Sequence, residues 1–468
     1  MSGWLRRRLA RGGTDPAPAH VVLVGPHTER SRRRISSCVR TQSLPGCTVY
    51  EARATPDARG ISRDATVLIF VEPEWELEDD FAAAVHHKIV VDGHHAVYTD
   101  DSRTSRSRPD WSPESLLFRC TIGGVLALSA RCWGDLGLST PPESVHQIAL
   151  QLMNANVDVA HVRAPLTRSP SALNPLVCEP TLTDADRQRV TAYAKRYGVD
   201  MCDNDDASLH VSSPAERVSL VVPTAGKSDE DGVRYIDRLL NSLAAHPSHH
   251  ALDVVAVIGP EVTSPTSDHV NLTTVPYDEP FNFSVACNTG VAHASGDVVV
   301  IINDDIEITN SDWLDELVAF TRFPGVGAVG PLLLYPDGTV QSAGHMDPGP
   351  VTFARGYRIS SHSDTWVDHQ LLSRRNVTGL TAACLVMRKT VLNSIGGFDP
   401  SFPIAFNDVD LGNRLRAHGL RLVYSPARPL IHHESRTRTG GASPDEERHL
   451  ATTWPQRHRD GEPDEYLG

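Results

Sequence analysis

Three clusters in the chain carry side chains able to do chemistry together. The first is Asn303-Asp304-Asp305, placed directly after the apolar run Val298 to Ile302. Side chains alternate along a strand, so the adjacent carboxylates should point in different directions. One can face a ribose or phosphate and the other a divalent cation, since carboxylate oxygens suit Mg²⁺ or Mn²⁺. The plainer alternative is a solvated loop, with Asn310 or Ser311 capping a helix over 312–320. The second cluster runs from Phe406 to Arg416 and reads as a helix start. Asp408 and Asp410, about 200° apart around such a helix, cannot both face one site. Asp408 lies nearer the loop, where the helix N-terminus stabilises an anion, and an anionic carboxylate can act as a general base. A simple capping role is its alternative. The third is His432-His433, which follows Leu430-Ile431. Neutral imidazole is a common metal ligand, although a surface pair would look the same in sequence.

The elements around these residues read as alternating strands and helices. Val218 to Val222 is a β-branched run stopped at Pro223-Thr224-Ala225-Gly226, which predicts a buried strand and a loop. Apolar residues at 236, 239, 240 and 243 predict a helix over Tyr235 to Ala245. Leu252 to Ile258 and Val298 to Ile302 are further strands. The expected class is α/β, a mostly parallel sheet flanked by helices, in two tandem units. Ligands of such sheets bind at the carboxyl ends of the strands, where both polar stops lie. The earlier stretch repeats part of this plan, with strands at His20 to Val24 and Asp64 to Val71 and a helix at Ile35 to Gln42. We expect a first domain over 18–170, a helical connector over 171–215 containing a helix from Asp184 to Tyr197, a second domain over 216–440, and a polar tail over 441–468 with at most one helix.

Composition narrows the function class. Of 468 residues, 40% are hydrophobic and 22% charged, a globular balance. Lys plus Arg is 44 against 58 Asp plus Glu, a net charge of −14 that disfavours general nucleic-acid binding. No apolar run approaches the roughly 20 residues of a membrane span. Met1 to Gly13 is basic without a long apolar segment behind it, so no secretory signal is expected, and Trp4 to Arg11 could lie on an anionic membrane surface. The eight scattered cysteines form no CxxC pair and read as reduced, mostly buried thiols in a cytoplasmic protein.

In their order along the chain, these pieces resemble the family 2 nucleotide-sugar glycosyltransferases of GT-A fold over about residues 217–440. The resemblance rests on Val218 to Thr224, Phe281 to Gly290, Ala294 to Asp297 leading into Asn303-Asp304-Asp305, Gly327 to Pro331, Tyr335 to Gly338, Gln341 to Gly344, Ala382 to Arg388, Gly396 to Asp399, Phe406 to Asp410 and His432 to Ser435. Each piece is weak and the ordered set is specific. It is most similar to bacterial rhamnosyl- and galactofuranosyltransferase-type enzymes of surface polysaccharides. The resemblance implies a divalent metal, Mn²⁺ or Mg²⁺, and a nucleotide-sugar donor. Asp305 and His432 would hold the metal, with His433 an alternative to His432. Asn303, Asp304, Pro223, Thr224 and Asn288 would bind the nucleotide. Asp408 would be the base that activates a hydroxyl of a glycan or lipid-linked acceptor, with inversion at the anomeric carbon. Gly379 and Gly396-Gly397 would permit close approach near the sugar, or simply serve turns. A cytoplasmic protein would follow, with peripheral contact at the inner face of the membrane as an option.

The sequence departs from the family pattern in places. Gly259 to Thr263 lacks the usual base-reading Asp, Asn303 replaces an Asp, and Asn407 replaces an acidic residue. The first domain reads as an eroded copy. Its metal-strand ending is Glu72-Pro73-Glu74, and Val145-His-Gln-Ile148 stands where a base helix should start. Asp100-Asp101 reads as a surface turn or a vestigial metal site. Competing readings are a non-catalytic sugar-nucleotide or glycan-binding scaffold and a nucleotidyltransferase, for which Ala225-Gly226-Lys227 is a poor phosphate loop.

Overall fold

The computed structural model describes residues 19–25, 27–42, 48–51, 65–103, 108–137, 142–170, 182–203, 209–278, 280–346, 351–360, 365–433 and 442–455. The basic Trp4 to Arg11 segment, residues 171–181 of the connector, Glu434, Ser435 and residues 456–468 lie outside them. The chain forms two compact units that divide between Tyr193 and Ala194, inside the helix of the expected connector.

The first unit is built on seven strands. They are β1 (Ala19–Leu23), β2 (Thr48–Glu51), β3 (Val67–Val71), β4 (Glu76–Leu77), β5 (Ala96–Asp101), β6 (Val125–Ser129) and β7 (Val159–Arg168). Their order across the sheet is β2-β1-β3-β6-β5-β7-β4. Helices α1 (Glu29–Arg40), α2 (Phe81–His86), α3 (Ala130–Leu136) and α4 (Val145–Asn154) accompany them. Every residue of β1 and β3 is buried, as a strand covered on both faces requires. Asp100 and Asp101 are not a surface turn. They are 6% and 0% exposed, because Arg108 and His161 supply their counter-charges inside the unit. Asp100 accepts from the Arg108 N–H and pairs with His161 Nε2, both at 2.8 Å, and Asp101 meets the Arg108 guanidinium at 3.3 Å.

Beyond α5 (Asp184–Lys195), the second unit opens with the hairpin β8 (Asp200–Asp203) and β9 (Leu209–Ser212). Its main sheet contains β10 (Arg217–Thr224), β11 (Ala251–Ile258), β12 (Leu272–Pro276), β13 (Val298–Ile302), β14 (Ile306–Glu307), β15 (Val326–Leu334) and β16 (Val340–Ser342). After the short pair β17 (His345–Met346) and β18 (Val351–Thr352) come β19 (Arg375–Val377), β20 (Cys384–Arg388) and β21 (Arg421–His432). The helices are α6 (Tyr235–Ala245), α7 (Phe283–His293), α8 (Asp315–Phe320), α9 (Trp366–Leu371), α10 (Lys389–Ser394), α11 (Asn407–Ala417) and α12 (Pro444–Thr453). The sheet order is β12-β11-β10-β13-β20-β15-β21-β14, with β16 on β15 and β19 on β21. The α/β class holds, and six of the eight strands in this order, β12, β11, β10, β13, β15 and β21, share one direction. β20, antiparallel to both β13 and β15, and β14 at the edge run the opposite way.

The apolar pattern accounts for this core. Val298, Val299, Val300, Ile301 and Ile302 are each 0% exposed, and burying such a side chain contributes about 1.5–3 kcal/mol as an upper estimate. The stripe Ile236, Leu239, Leu240 and Leu243 is buried on α6 as its spacing requires. The helix expected from 312 begins at Asp315, and neither Asn310 nor Ser311 caps it. A turn of four residues precedes it and Leu314 is its N-cap.

Seven strands of the second sheet repeat the first in chain order, neighbour order and direction. β10, β11, β13, β14, β15, β20 and β21 correspond to β1 through β7. In both, the first three form a parallel set, the sixth is antiparallel to the third and fifth, and the fifth and seventh are parallel. Among the described residues no helix is long and apolar enough to cross a membrane. The described cysteines Cys38, Cys120, Cys132, Cys287 and Cys384 are thiols, all but Cys38 buried.

Candidate functional site

The site forms at the carboxyl ends of β10 and β13. β13 stops at Asn303, whose N–H donates to the carbonyl of Ala383 at 3.0 Å, and residues 303–305 form a turn rather than a strand extension. The two carboxylates still diverge. The Thr224 hydroxyl at the end of β10 donates to Asp304 Oδ2 at 2.5 Å and itself accepts from the Gly226 N–H at 3.0 Å. Burial pushes the Asp304 carboxyl up to about 7; the Thr224 bond opposes this and the Asp305 carboxylate adds to it. Pro223 lies one residue before Thr224, in register with Val257.

Asp305 turns the other way, to His432. The short strand β14 pairs with the end of β21, with Ile306 opposite His432, so the residue before Ile306 is carried to the imidazole. Asp305 Oδ1 and His432 Nε2 are 3.1 Å apart, and the two residues are 6% and 4% exposed. The His433 N–H donates to the Asp305 carbonyl at 3.0 Å, while its ring bonds Glu307 at 2.7 Å. Of the two histidines, His432 is therefore the one at Asp305.

A divalent cation fits these donors. Ligands at about 2.1 Å in octahedral geometry stand roughly 3.0 Å apart when adjacent, which the observed oxygen–nitrogen spacing matches. One carboxylate oxygen with one imidazole nitrogen is a mixed donor set suited to Mn²⁺ and tolerable to Mg²⁺. Another group of possible ligands, His249, His250 and Asp315, lies at the opposite ends of the strands. There the Glu216 N–H donates to His250 Nδ1 at 3.2 Å. A neutral His250 then carries its proton on Nε2 and has no lone pair left for a metal.

Asp408 is the second residue of α11 and reaches the same region through β20's approach. Ala382 N–H donates to Asp408 Oδ2 at 3.3 Å, and the neighbouring Ala383 holds Asn303. Asp410 faces elsewhere, bonding Arg414 at 2.8 Å and the Trp454 indole at 3.1 Å. The helix is launched by Phe406 at φ +60°, a left-handed conformation that a bulky aromatic residue rarely adopts.

The other expected residues are placed as follows. Asn288 bonds the backbone of Phe398: its amide donates to the Phe398 carbonyl and its oxygen accepts the Phe398 N–H, both at 2.8 Å. It fixes the Gly396-Gly397 turn, where a Cβ on Gly397 would come within 2.5 Å of its oxygen. The loop after β11 packs Val262 beneath Gly226, and Arg234 donates to the Thr263 carbonyl at 2.7 Å.

Two residues near Asp408 were not singled out by sequence reasoning. His345 follows Gln341-Ser-Ala-Gly344 directly, is 7% exposed, and holds Nε2 3.9 Å from Asp408 Oδ2. Only its place after that motif could have drawn attention to it. Glu446 on α12 is 3% exposed and accepts from the N–H groups of Ile404 and Ala405. Ser443-Pro-Asp-Glu446 spells a capping box, which was the readable signal there.

Comparison with known proteins places this geometry in a family. The chain is 30% identical over 397 residues to the O-antigen biosynthesis protein RfbC of Myxococcus xanthus, across 75% of this chain and 29% of that protein. It is also 30% identical over 149 residues to the N-acetylglucosaminyl-diphospho-decaprenol L-rhamnosyltransferase of Mycobacterium tuberculosis, across 30% of this chain and 48% of that one. The chain thus spans under a third to about half the length of these relatives. Among solved structures, a mannosyltransferase from Pyrobaculum calidifontis in complex with GDP-Man and Mn²⁺ aligns with a TM-score of 0.38 at 19% identity, covering 58% of this chain and 72% of that one. Residues 214–459, just over half of the chain, match the family described as "Glycosyltransferase like family 2", and to that family this chain belongs.

Proposed function

We propose that the second unit is an inverting, metal-dependent glycosyltransferase. It would move a sugar from a nucleotide-sugar donor to a hydroxyl of a glycan or lipid-linked acceptor in cell-surface polysaccharide synthesis. The observation that carries this reading is the meeting of Asp305 with His432 at one strand end, with Asp408 tethered to the same turn through Ala382 and Ala383. Family membership supplies the reaction class, and the matched O-antigen and rhamnosyltransferase proteins support the polysaccharide setting.

In this reading Thr224 and Asp304 orient the nucleotide, and Asp305 and His432 hold a divalent cation. When bound, that cation stabilises the negative charge of the departing diphosphate. Asp408 takes the proton of the acceptor hydroxyl as its oxygen bonds to the anomeric carbon. The bond from that carbon to the diphosphate breaks on the opposite face, so configuration inverts. Asp408 sits in the first turn of α11, at the helix end nearest the acidic turn's neighbour Ala382.

The strand-for-strand correspondence supports reading the first unit as a copy without the machinery. Glu72 N–H donates to Gly124 as Asn303 donates to Ala383. The Glu72 carboxylate accepts the Val145 N–H at the start of α4 (2.7 Å), and Glu74 pairs with Arg34. Arg168 faces Glu76 in the register where His432 faces Ile306, and His146 is second in α4 as Asp408 is in α11. At these corresponding positions the described residues of the first unit carry neither an imidazole–carboxylate pair nor a carboxylate in the place of the base.

The test is release of nucleoside diphosphate from a panel of nucleotide sugars with Mn²⁺ or Mg²⁺, with and without EDTA. Wild type should hydrolyse one donor slowly, and both EDTA and Asp408→Asn should stop it while nucleotide binding survives in the mutant. Release that persists in Asp408→Asn would remove the base assignment. No release together with no metal-dependent nucleotide binding would favour a binding scaffold.

A further inference from the structure

We infer that the C-terminal helix α12 is a working part of the active site, and that Glu446 is a positioning residue that sets the loop from which Asp408 is presented. The inference rests on the reading of Asp408 as the base.

Three residues, Glu446 and His449 of α12 and its C-cap Trp454, join this helix to the segment 399–410. Glu446 Oε1 accepts from the Ile404 N–H at 2.9 Å and the Ala405 N–H at 2.8 Å. The His449 ring stands 4.8 Å from that of Phe402 and 3.7 Å from the Asp399 carboxylate. The Trp454 indole donates to Asp410 Oδ1 at 3.1 Å. The segment so held contains Phe406, whose positive φ turns the chain into α11 two residues before Asp408. A non-glycine residue in that conformation is strained and persists where its surroundings over-determine it. The carboxylate of Glu446, 3% exposed and bonded to two consecutive backbone N–H groups just ahead of the strained residue, is such a determinant. Burial alone would raise this carboxyl, and the backbone bonds from Ala405, Ser443 and Ile404 outweigh it and hold the carboxyl below its ordinary range.

Glu446 divides its two oxygens between two tasks. Oε2 closes the capping box with the N–H and hydroxyl of Ser443, both at 2.9 Å, which stabilises α12 itself. Oε1 serves the loop. The division permits a test that separates positioning from helix stability. Glu446→Gln keeps an oxygen for the loop and disrupts the capping box, Ser443→Ala removes the cap and leaves the loop contact, and Glu446→Ala loses both.

The experiment measures turnover, donor KM, metal-dependent nucleotide affinity and melting temperature for these three variants beside Asp408→Asn in the full chain. Glu446→Ala should lose about ten- to hundredfold in kcat, the scale of a displaced reacting group, with donor KM and nucleotide affinity unchanged. Glu446→Gln and Ser443→Ala should keep most of the turnover while melting lower. Equal losses of turnover in Ser443→Ala and Glu446→Ala would overturn the inference, as would an unaffected Glu446→Ala enzyme whose Asp408→Asn counterpart is inactive. Undiminished turnover in Asp408→Asn would overturn it at its root, by removing the base that Glu446 is said to place. Should Glu446→Ala not fold, the Gln variant decides: loss of kcat matching that of an unfolded cap, in step with Ser443→Ala, counts against positioning.

Discussion

His345 Nε2 stands 3.9 Å from Asp408 Oδ2, and the rest of the imidazole is enclosed. Its backbone is pinned by three neighbours: its N–H donates to the Gly379 carbonyl at 2.8 Å, its carbonyl accepts the Thr378 hydroxyl at 2.7 Å, and β17 pairs it with Thr352. A buried imidazole held this firmly beside a carboxylate restricts the directions in which that carboxylate can accept a proton. We expect His345→Ala to lower kcat by about tenfold, roughly 1.4 kcal/mol of barrier, with little change in donor KM. Steady-state kinetics on both substrates check this. A proportional rise in donor KM would instead place His345 in donor binding.

The glycine opposite it makes a sharper prediction. A Cβ on Gly379 would lie 2.9 Å from His345 Nδ1, closer than non-bonded atoms tolerate. Gly379 also lies under Gly412 of α11, whose own Cβ would stand 3.7 Å from the Gly379 Cα. Gly379→Ala should therefore displace His345 and cost about 1–3 kcal/mol of stability through overpacking. Turnover should fall with it, because the displaced imidazole no longer stands beside Asp408. Thermal unfolding and turnover measured together would show it; a stable, fully active Gly379→Ala enzyme would contradict the packing described.

The two adjacent histidines should behave differently. His432→Ala removes an imidazole 3.1 Å from Asp305, whereas His433→Ala removes one bonded to Glu307. Titration with Mn²⁺ should show at least tenfold weaker binding for His432→Ala and for Asp305→Ala, and near wild-type binding for His433→Ala. Equal weakening by both histidine variants would mean that either ring reaches the ion. That outcome would remove the distinction drawn from the register of β14 on β21.

What could be read from the sequence follows from the range of the forces involved. Val298 to Ile302 and the stripe on α6 are legible because burial imposes a short period, and both fall where that period puts them. Asp408 at a helix start is legible for the same local reason. The partners of these residues are not. Asp305 and His432 are 127 positions apart, and only the pairing of β14 with β21 joins them; family resemblance, not spacing, linked them in advance. Asn288 was named by family resemblance alone, and its partner Phe398 is 110 residues away. Asp100-Asp101 looked like a turn because two adjacent carboxylates are seldom buried. Arg108 and His161, which make burial tolerable, arrive from a loop and a different strand. The polar stretch after 440 gave no sign that Glu446 would meet backbone groups 41 and 42 positions earlier.

That buried charge network in the first unit should make its stability depend on pH. Burial disfavours a charged His161, but its hydrogen bonds to Asp100 at 2.8 Å and Asp110 at 2.6 Å outweigh burial and raise its pKa above the ordinary value. Arg163 shares Asp110 at 2.9 Å, and Tyr98 stacks on the ring at 4.6 Å. A histidine whose pKa is higher folded than unfolded binds more protons in the native state. Its contribution is complete below about pH 6.5, the unfolded value, and is lost as pH rises through the folded value. His161→Asn should therefore melt well below wild type at pH 6, and the gap should narrow towards pH 9 as wild type gives up its own proton. Calorimetric scans of both proteins across that range check the sign. A gap that is constant with pH would mean the ring acts by packing against Tyr98 alone, and a gap that widens with pH would mean the imidazole is neutral in the folded protein and that Asp100 and Asp110 are balanced by Arg108 and Arg163 instead.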